Sequence, residues 1–140
     1  MVDVARLTAL LDRIEAEVNA IRTSVDRSDA ALLASPDALP ALKYRLVVAI
    51  EAAIDAGSHV IATQRLRYPA TFADTFASLA ESGWLDGPLS ERLSDAARFR
   101  NVLVHLYDTV DDDRVLEIAR TRLDDLDAYQ RSLAGRITGG

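Results

Sequence analysis

Residues 100–107 place several polar groups within a short apolar stretch. Arg100 and His105 lie five positions apart, with Asn101 beside the arginine. Tyr107 follows two residues beyond the histidine. The guanidinium group is planar, always charged and suited to binding phosphate. The imidazole group is the side chain best suited to moving a proton near neutral pH. Together these groups are the minimal equipment for cleaving RNA without a metal ion.

The chemistry that these residues favour uses the RNA 2′-hydroxyl as the nucleophile. His105 would take the proton of that hydroxyl or protonate the leaving 5′-oxygen, a contribution of about 10²–10⁴-fold. Arg100 would hold the non-bridging oxygens and stabilise the charge of five-coordinate phosphorus. Asn101 would orient the imidazole or donate to phosphate, and Tyr107 would stack on a base or hydrogen-bond near the phosphate. The expected product is a 2′,3′-cyclic phosphate, and we expect neither a metal nor a cofactor.

The spacing of these residues along one helix leaves their arrangement open. At about 100° per residue, Asn101, His105 and Asp108 share one face, which makes Asp108 a further supporting candidate. Arg100 and Tyr107 share another face, so that Arg100 and His105 point about 140° apart on a straight helix. Three arrangements would bring them together: the arginine wraps round, the helix loosens near His105, or two chains form a symmetric dimer. We favour the dimer.

A plainer interpretation assigns the same residues to structure. One arginine and one histidine at this spacing occur by chance in many helical proteins. His105 would then be buried and bonded to a carbonyl, Arg100 would lie on the surface, and Tyr107 would belong to the core. The residues taken by themselves favour this interpretation.

Three polar residues on an earlier helix are secondary candidates. Asp55 and His59 are four apart, a spacing that suits a charge-assisted pair or a metal site. No third ligand accompanies them, so we expect a structural pair near the site. Glu51 continues the same face and is expected to bond an arginine.

The composition predicts one folded domain over residues 1–140. The chain is 49% hydrophobic and 27% charged, as in ordinary globular proteins. It contains no cysteine, which excludes disulfides and thiolate metal sites and permits a cytoplasmic location. The longest apolar stretch, residues 46–56, contains two acidic residues and is too short to cross a bilayer. We expect neither an export signal nor a membrane contact.

The net charge of −6 has the wrong sign for binding nucleic acid through bulk electrostatics. Acidic residues crowd the C-terminal third, whereas arginines cluster before His105 and further upstream (Arg92, Arg98 and Arg100; Arg65 and Arg67). This distribution leaves open either a local basic groove or an acidic surface for a basic protein partner.

Apolar residues at three- and four-residue steps predict an all-α, up-and-down bundle of five helices. The predicted helices run from residue 3 to about 26, from Pro36 or Pro40 to about 66, from Tyr68–Pro69 to Gly83, from about 88 to 108, and from 111 to about 134. Residues 135–140 are expected to form a frayed tail.

Four features along these helices predict local structure. Gly57 lies in mid-helix and is expected to permit close packing rather than end the helix. Gly83 suits a helix C-terminus because glycine tolerates a left-handed backbone. Trp84, at a helix junction, is expected to pack in the core. The acidic residues 111–113 are expected to cap the last helix and lack the spacing of a calcium loop.

The run Arg-Asn-Val-Leu-Val-His-Leu-Tyr at 100–107 resembles the RNxxxHxY signature of HEPN-domain proteins, and in particular of the HepT-like ribonuclease toxins. The resemblance extends over most of the chain. Residues 51–62 resemble the family's second helix and residues 68–85 its third. The motif helix and an acidic last helix follow in the expected order, and the N-terminal 30 residues match only in helical pattern.

This resemblance implies a five-helix HEPN bundle and a homodimer whose clefts bring the motifs together. It implies a toxin-type endoribonuclease acting on RNA (tRNA or mRNA), in which Arg100 and His105 are the catalytic pair and Asn101 their polar companion. Tyr107 corresponds to the tyrosine that a nucleotidyltransferase antitoxin modifies with AMP. Such AMPylation would place a bulky anion beside the phosphate site and block it through like-charge repulsion.

Two other classes of function compete with the enzyme. One is a non-enzymatic helical module that binds nucleotide or RNA and serves a nucleotidyltransferase as partner or regulator, and the net charge of −6 favours it somewhat. The other is an interaction dimer with a vestigial site.

Overall fold

The computed structural model describes residues 2–138, which form seven α-helices and no β-strand. In chain order these are α1 (Val4–Ser24), α2 (Asp29–Ala34), α3 (Ala38–Gln64), α4 (Asp74–Glu81), α5 (Gly87–His105), α6 (Asp112–Thr121) and α7 (Leu123–Thr138). The predicted all-α class is confirmed, but the count of five helices is wrong.

Two short-range features account for the two additional helices. The six-residue α2 is too short to show an apolar period, and it is capped by the Ser28 side chain, which accepts from the Ala31 N–H at 3.2 Å. The predicted last helix is interrupted at Arg122, which separates α6 from α7. The break allows α6 to pack on α1 and α3 while α7 packs on α1 and α5.

Several helix ends also differ from the predicted ones. The third predicted helix begins at Asp74 rather than at Tyr68–Pro69, because residues 65–73 form an irregular connection. That connection starts at Arg65, which ends α3 in a left-handed conformation with φ of 56°. The motif helix α5 ends at His105 instead of at residue 108. Helix α7 continues to Thr138, so residues 135–138 are helical and not a frayed tail, and residues 139–140 lie outside the described part.

Helix α3 is the centre of the bundle. It contacts α1, α2, α4, α5 and α6, and thirteen of its 27 residues are buried. By length and composition it meets the requirements for a membrane span, with a mean hydropathy of 1.5 over its most apolar window. The prediction that the apolar stretch at residues 46–56 is too short for a span is therefore wrong, because the helix that contains it has 27 residues. Its burial among the other helices identifies it as the core helix of the bundle.

The stripe predicted for the first helix packs against α3. Its buried residues recur at three- and four-residue steps, as an amphipathic helix requires (Leu7, Leu11, Ile14, Val18 and Ile21). Trp84 is buried as predicted, and the guanidinium of Arg136 lies 4.5 Å from its ring centroid.

Gly83 and the acidic residues 111–113 have the predicted capping roles. Gly83, with φ of 77°, follows α4, and its N–H donates to the Ala80 carbonyl at 3.0 Å. The Trp84 N–H donates to the Leu79 carbonyl at 3.0 Å, which completes a Schellman motif. At the start of α6, Asp111 accepts the Asp113 N–H at 3.0 Å.

Gly57 allows α3 to approach α4 and α7, as its position predicted. A Cβ atom at this position would lie 2.8 Å from Thr75 Cγ2 and 3.0 Å from the Tyr129 hydroxyl. Tyr129 is fully buried, and its hydroxyl donates to the Ala53 carbonyl at 2.7 Å. Burial raises the pKa of the Tyr129 phenol, so that this side chain stays neutral.

We predict that Gly57→Ala lowers the free energy of unfolding. Overpacking costs about 1–3 kcal/mol, which outweighs the gain of up to ~1 kcal/mol from replacing glycine in a helix. Urea titration followed by circular dichroism measures the change. The control is Gly135→Ala in α7, where a Cβ atom meets nothing within 4 Å and a stability gain is expected. Equal stabilisation by both substitutions would show that the packing at Gly57 is not tight.

Candidate functional site

The C-terminal half of α5 carries the candidate catalytic residues. The helix begins after Asp86, whose side chain accepts the Leu89 N–H at 2.7 Å, and its apolar face is buried against the bundle. Arg100 and Asn101 are half-buried on this helix, whereas His105 is exposed at its end.

These three residues line one cavity of about 630 Å³. The opposite wall is formed by the connection between α3 and α4, from Tyr68 to Phe72. Helices α3 and α4 close the remaining side with small and apolar side chains (Ser58, Ile61, Ala62 and Thr75). A single chain therefore brings Arg100, Asn101 and His105 to the same space. The dimer that we favoured from helix geometry is not needed to collect them, because the arginine side chain reaches round the helix.

Tyr107 and Asp108, which follow the end of α5, are not part of the cavity lining. The Leu106 N–H closes α5 by donating to the Val102 carbonyl at 2.8 Å, and the chain then turns away. Asp108 consequently does not continue the helical face of Asn101 and His105, and it is absent from the cavity lining. Tyr107 is 41% exposed, so it is not a core aromatic.

Tyr107 is supported by a residue that the sequence did not single out. The Nζ atom of Lys43 lies 4.6 Å from the centroid of the Tyr107 ring. Lys43 itself is buried and its Nζ lies 3.0 Å from Asp112 Oδ1 at the start of α6. A lysine on the mostly apolar helix α3 is the signal that would have drawn attention to this position.

Glu51 holds the Arg100 guanidinium, as predicted for a carboxylate on this face. Its Oε1 atom accepts from Arg100 Nη2 at 2.7 Å and from Nε at 3.1 Å. Arg100 Nη1 donates to Asn101 Oδ1 at 3.0 Å. Three of the five guanidinium N–H groups are therefore bonded within the chain, which leaves two for a ligand.

His59 has a structural contact that differs from the predicted one. Its Nε2 atom accepts the backbone N–H of Asp3 at 3.0 Å, which ties α3 to the start of α1. Asp55 is exposed and forms no ion pair with His59 within residues 2–138. The expected Asp55–His59 pair is therefore absent, and His59 Nε2 bonds the N-terminal backbone instead. Over the same range no three His, Cys, Asp or Glu residues are grouped as metal ligands require.

Arg67 fixes the irregular wall of the cavity. Its Nη1 and Nη2 atoms donate to the two carboxylate oxygens of Asp74 at 2.7 and 2.9 Å, and its Nε donates to Glu81 at 2.7 Å. Asp74 also accepts the Ala70 N–H at 2.9 Å, and the Ser78 hydroxyl donates to the Arg67 carbonyl. The segment is thus held at both ends although it has no regular secondary structure.

The arginines do not gather into a basic groove at the cavity. Among residues 2–138, Arg100 is the one arginine or lysine that lines it. Arg92 and Arg98 lie beside a second cavity of about 420 Å³ against α3, α6 and α7. Arg92 is bonded to Asp125 at 2.7 Å, which raises the arginine pKa, and Arg98 is bonded to Asp95 at 2.8 Å. The sequence cluster is therefore dispersed over separate ion pairs.

A profile of the family described as "Ribonuclease HepT-like" matches residues 14–133. The chain belongs to this family. The mRNA nuclease HepT from Shewanella oneidensis is 32% identical over 79 residues, which cover 56% of this chain. The matched region spans 59% of the length of that relative. The resemblance inferred from the motif is thereby confirmed at the level of the HepT-like family.

Solved structures support the HEPN-type fold. A tri-AMPylated HEPN toxin from Shewanella oneidensis in complex with an MNT antitoxin superposes with a TM-score of 0.87 at 22% identity, covering 96% of this chain and 99% of that one. A toxin–antitoxin structure with AMP-PNP gives 0.86 at 21% identity, with 94% and 98% covered. YutE from Bacillus subtilis, a cytosolic protein of unknown function, gives 0.87 at 17% identity, with 99% and 92% covered.

We predict that Asp74→Asn destabilises the protein at neutral pH and that this effect fades in acid. The Arg67 guanidinium, followed by the Ala70 N–H, lowers the pKa of Asp74 to about 2. A carboxyl whose pKa is depressed on folding contributes stability above its unfolded pKa of ~3.9, and loses it as the pH falls towards the folded value. Unfolding by urea at pH 7 and at steps from about pH 4 to pH 2 measures this.

The matched control for this comparison is Asp95→Asn, which removes an exposed carboxylate from its pair with Arg98. Such exposed pairs contribute little, so its effect is expected to be small at every pH. An Asp74→Asn penalty that stays constant down to pH 2 would contradict the proposed pair.

Proposed function

We propose that this chain is a metal-independent endoribonuclease and the toxin of a toxin–antitoxin pair. The observation that carries the proposal is that Arg100 and His105 line one cavity within a single chain. Membership of the HepT-like family supports it, as does the 32% identity to an mRNA nuclease. The substrate is RNA, either tRNA or mRNA, and the protein acts in the cytoplasm as a homodimer.

Arg100 supplies the phosphate-binding group. The two N–H groups that Glu51 and Asn101 leave unbonded can donate to the non-bridging oxygens of the scissile phosphate. As charge develops on five-coordinate phosphorus, these fixed donors bind it more strongly than the ground state. Glu51 is a positioning residue in this scheme, since it holds the guanidinium without touching the substrate. Its negative charge also weakens ground-state binding of an anion.

His105 transfers the proton. It is exposed at the rim of the cavity, and no described residue hydrogen-bonds its imidazole, so both nitrogens are open to substrate and water. The imidazole removes the proton of the 2′-hydroxyl as that oxygen attacks phosphorus, and water protonates the departing 5′-oxygen; alternatively, the protonated imidazole donates to the 5′-oxygen and water takes the 2′-hydroxyl proton. The P–O5′ bond breaks as the P–O2′ bond forms, and the products are a 2′,3′-cyclic phosphate and a 5′-hydroxyl.

Substitution of either residue is expected to abolish cleavage of total RNA or tRNA in EDTA. The His105→Ala variant should lose about 10²–10⁴-fold in rate and Arg100→Ala about 10²–10³-fold, with circular dichroism unchanged. The matched control is Arg98→Ala, which removes an exposed arginine from the same helix and should retain activity. Undiminished cleavage by His105→Ala would eliminate this mechanism.

We further propose that Tyr107 is the acceptor for AMP from a nucleotidyltransferase antitoxin. Tyr107 is 41% exposed and lies two residues beyond His105, within reach of a partner enzyme. The neighbouring structure of an AMPylated HEPN toxin with its MNT antitoxin supports this. An AMP group on Tyr107, two residues from His105, adds bulk and a negative charge that repels an approaching RNA phosphate.

Mixing the protein with a nucleotidyltransferase encoded beside it, together with ATP, should raise the intact mass by AMP adducts and reduce RNA cleavage. The Tyr107→Phe variant should not gain the adduct. The control Tyr44→Phe removes the hydroxyl of another exposed tyrosine, 65% exposed on α3, and should be modified like the wild type. An adduct that persists on Tyr107→Phe would refute Tyr107 as the acceptor.

A non-enzymatic module that binds nucleotide or RNA is the second candidate. The net charge of −6 and the neutralisation of Arg100 by Glu51 favour it. The cleavage assay separates the two, because this module would retain RNA or nucleotide without producing cyclic phosphate ends.

A further inference from the structure

Two aromatic side chains form the cavity wall opposite Arg100, and no catalytic role accounts for them. Tyr68 is 88% exposed and Phe72 is 50% exposed, although aromatic side chains normally gain stability from burial. Both belong to the irregular connection between α3 and α4. Aromatic exposure at the edge of a cavity is the feature that requires an explanation.

This wall is rigid before any ligand arrives. Arg67 ties the connection to Asp74 and Glu81, while Pro69 restricts the backbone beside Tyr68. A ligand that packs on the wall therefore loses little free energy in ordering the segment. The exposed rings are held in place rather than left on a loose loop.

The wall also presents no charge to the cavity. The side chains that line it from Tyr68 to Phe72 are uncharged, and the positive charge of Arg67 is outweighed by the carboxylates of Asp74 and Glu81. A phosphate gains no electrostatic attraction at this wall, whereas a flat uncharged group gains stability by packing on the rings. Unpaired nucleobases are such groups, and they stack on exposed aromatic rings in single-stranded RNA recognition.

The wall and the phosphate-binding group are adjacent. The Arg100 guanidinium carbon lies 5.3 Å from the centroid of the Phe72 ring. A phosphate held by Arg100 would thus place the neighbouring nucleotide next to this wall. The cavity of about 630 Å³ lies within the range of small-molecule sites, so one base and its ribose fit beside the phosphate.

We propose that Tyr68 and Phe72 form a nucleobase subsite that stacks on an unpaired base next to the phosphate held by Arg100. The proposal rests on the proposed function for the identity of that phosphate. Tyr68 supplies the open stacking surface, and Phe72 supports both the base and the guanidinium. Stacking accepts every base, so the subsite selects single-stranded RNA rather than one sequence.

The first test is the steady-state cleavage of a single-stranded oligoribonucleotide containing the mapped cleavage site. Tyr68→Ala should raise KM about tenfold with little change in kcat, since stacking contributes equally to the ground and transition states. Tyr68→Phe keeps the ring and should behave like the wild type. The control Tyr44→Ala removes an aromatic side chain that is 65% exposed but lies outside the cavity.

The second test removes the base instead of the ring. In the His105→Ala background, fluorescence anisotropy compares binding of the normal oligonucleotide with one that is abasic next to the scissile phosphate. If the ring and the base stack on one another, the loss of affinity for both changes together should be no larger than for either alone. Additive losses, or an unchanged KM for Tyr68→Ala, would overturn the subsite while leaving the nuclease proposal intact.

Two further outcomes also decide the matter. If Tyr68→Ala leaves RNA binding unchanged but weakens self-association or antitoxin binding, the wall is a protein interface and the subsite is rejected. If the wild-type protein cleaves no RNA, the proposed function fails. Anisotropy with a short uridine oligonucleotide then tests the wall by itself, and equal affinity for wild type and Tyr68→Ala rejects the subsite as well.

Discussion

The ion pair between Glu51 and Arg100 determines what the candidate site can do. Arg100 has 16% of its side chain exposed, so its charge lies in a partly desolvated position that requires a partner. Glu51 on α3 supplies that partner with a 2.7 Å contact, and Asn101 bonds a third nitrogen. The guanidinium is thereby fixed with two donors left for a ligand. This arrangement explains how residues on different sides of one helix come to serve the same cavity.

The other wall of the cavity is positioned by close packing elsewhere on α3. Gly57, two turns further along the helix, lets α4 and α7 approach its backbone, and Tyr129 binds the Ala53 carbonyl from α7. Helix α4 then carries Asp74, which holds Arg67 and with it the aromatic wall. The two walls of the cavity therefore depend on a single core helix. The wall that carries Arg100 depends on the Glu51 carboxylate. The aromatic wall depends on Gly57, whose lack of a side chain lets α4 pack closely on α3.

The sequence predicted those features that depend on local periodicity or a single backbone requirement. The α1 stripe, the Gly83 cap and the acidic start of α6 are of this kind. The break at Arg122 and the end of α5 at His105 were not predicted, because apolar residues continue in a helical period across both positions. Tertiary contacts decide those helix ends.

The site was predicted only in part, because tertiary contacts also decide which of its side chains meet. The spacing from Arg100 to His105 indicated the chemistry and left three arrangements open, one of them an arginine that wraps round the helix, but helix angles alone do not choose among them. The expected pair of Asp55 and His59 is absent, and His59 instead accepts a backbone N–H far away in sequence, that of Asp3. Side-chain reach and long-range partners are not encoded in residue spacing.

The charge distribution makes an acidic protein compatible with the anionic substrate that we propose. Carboxylates of α7 and α2 are bonded to arginines of other helices, as in the pairs Arg22–Asp127, Arg92–Asp125 and Arg120–Asp29. These arginines fasten helices together and are not available to RNA. With Arg100 as the cation in the cavity lining, long-range attraction contributes little, and affinity must come from contacts at short range. The proposed binding of RNA by this acidic chain therefore rests on a fixed guanidinium and uncharged aromatic rings that lie side by side, as Arg100 and Phe72 do in the cavity beside α5.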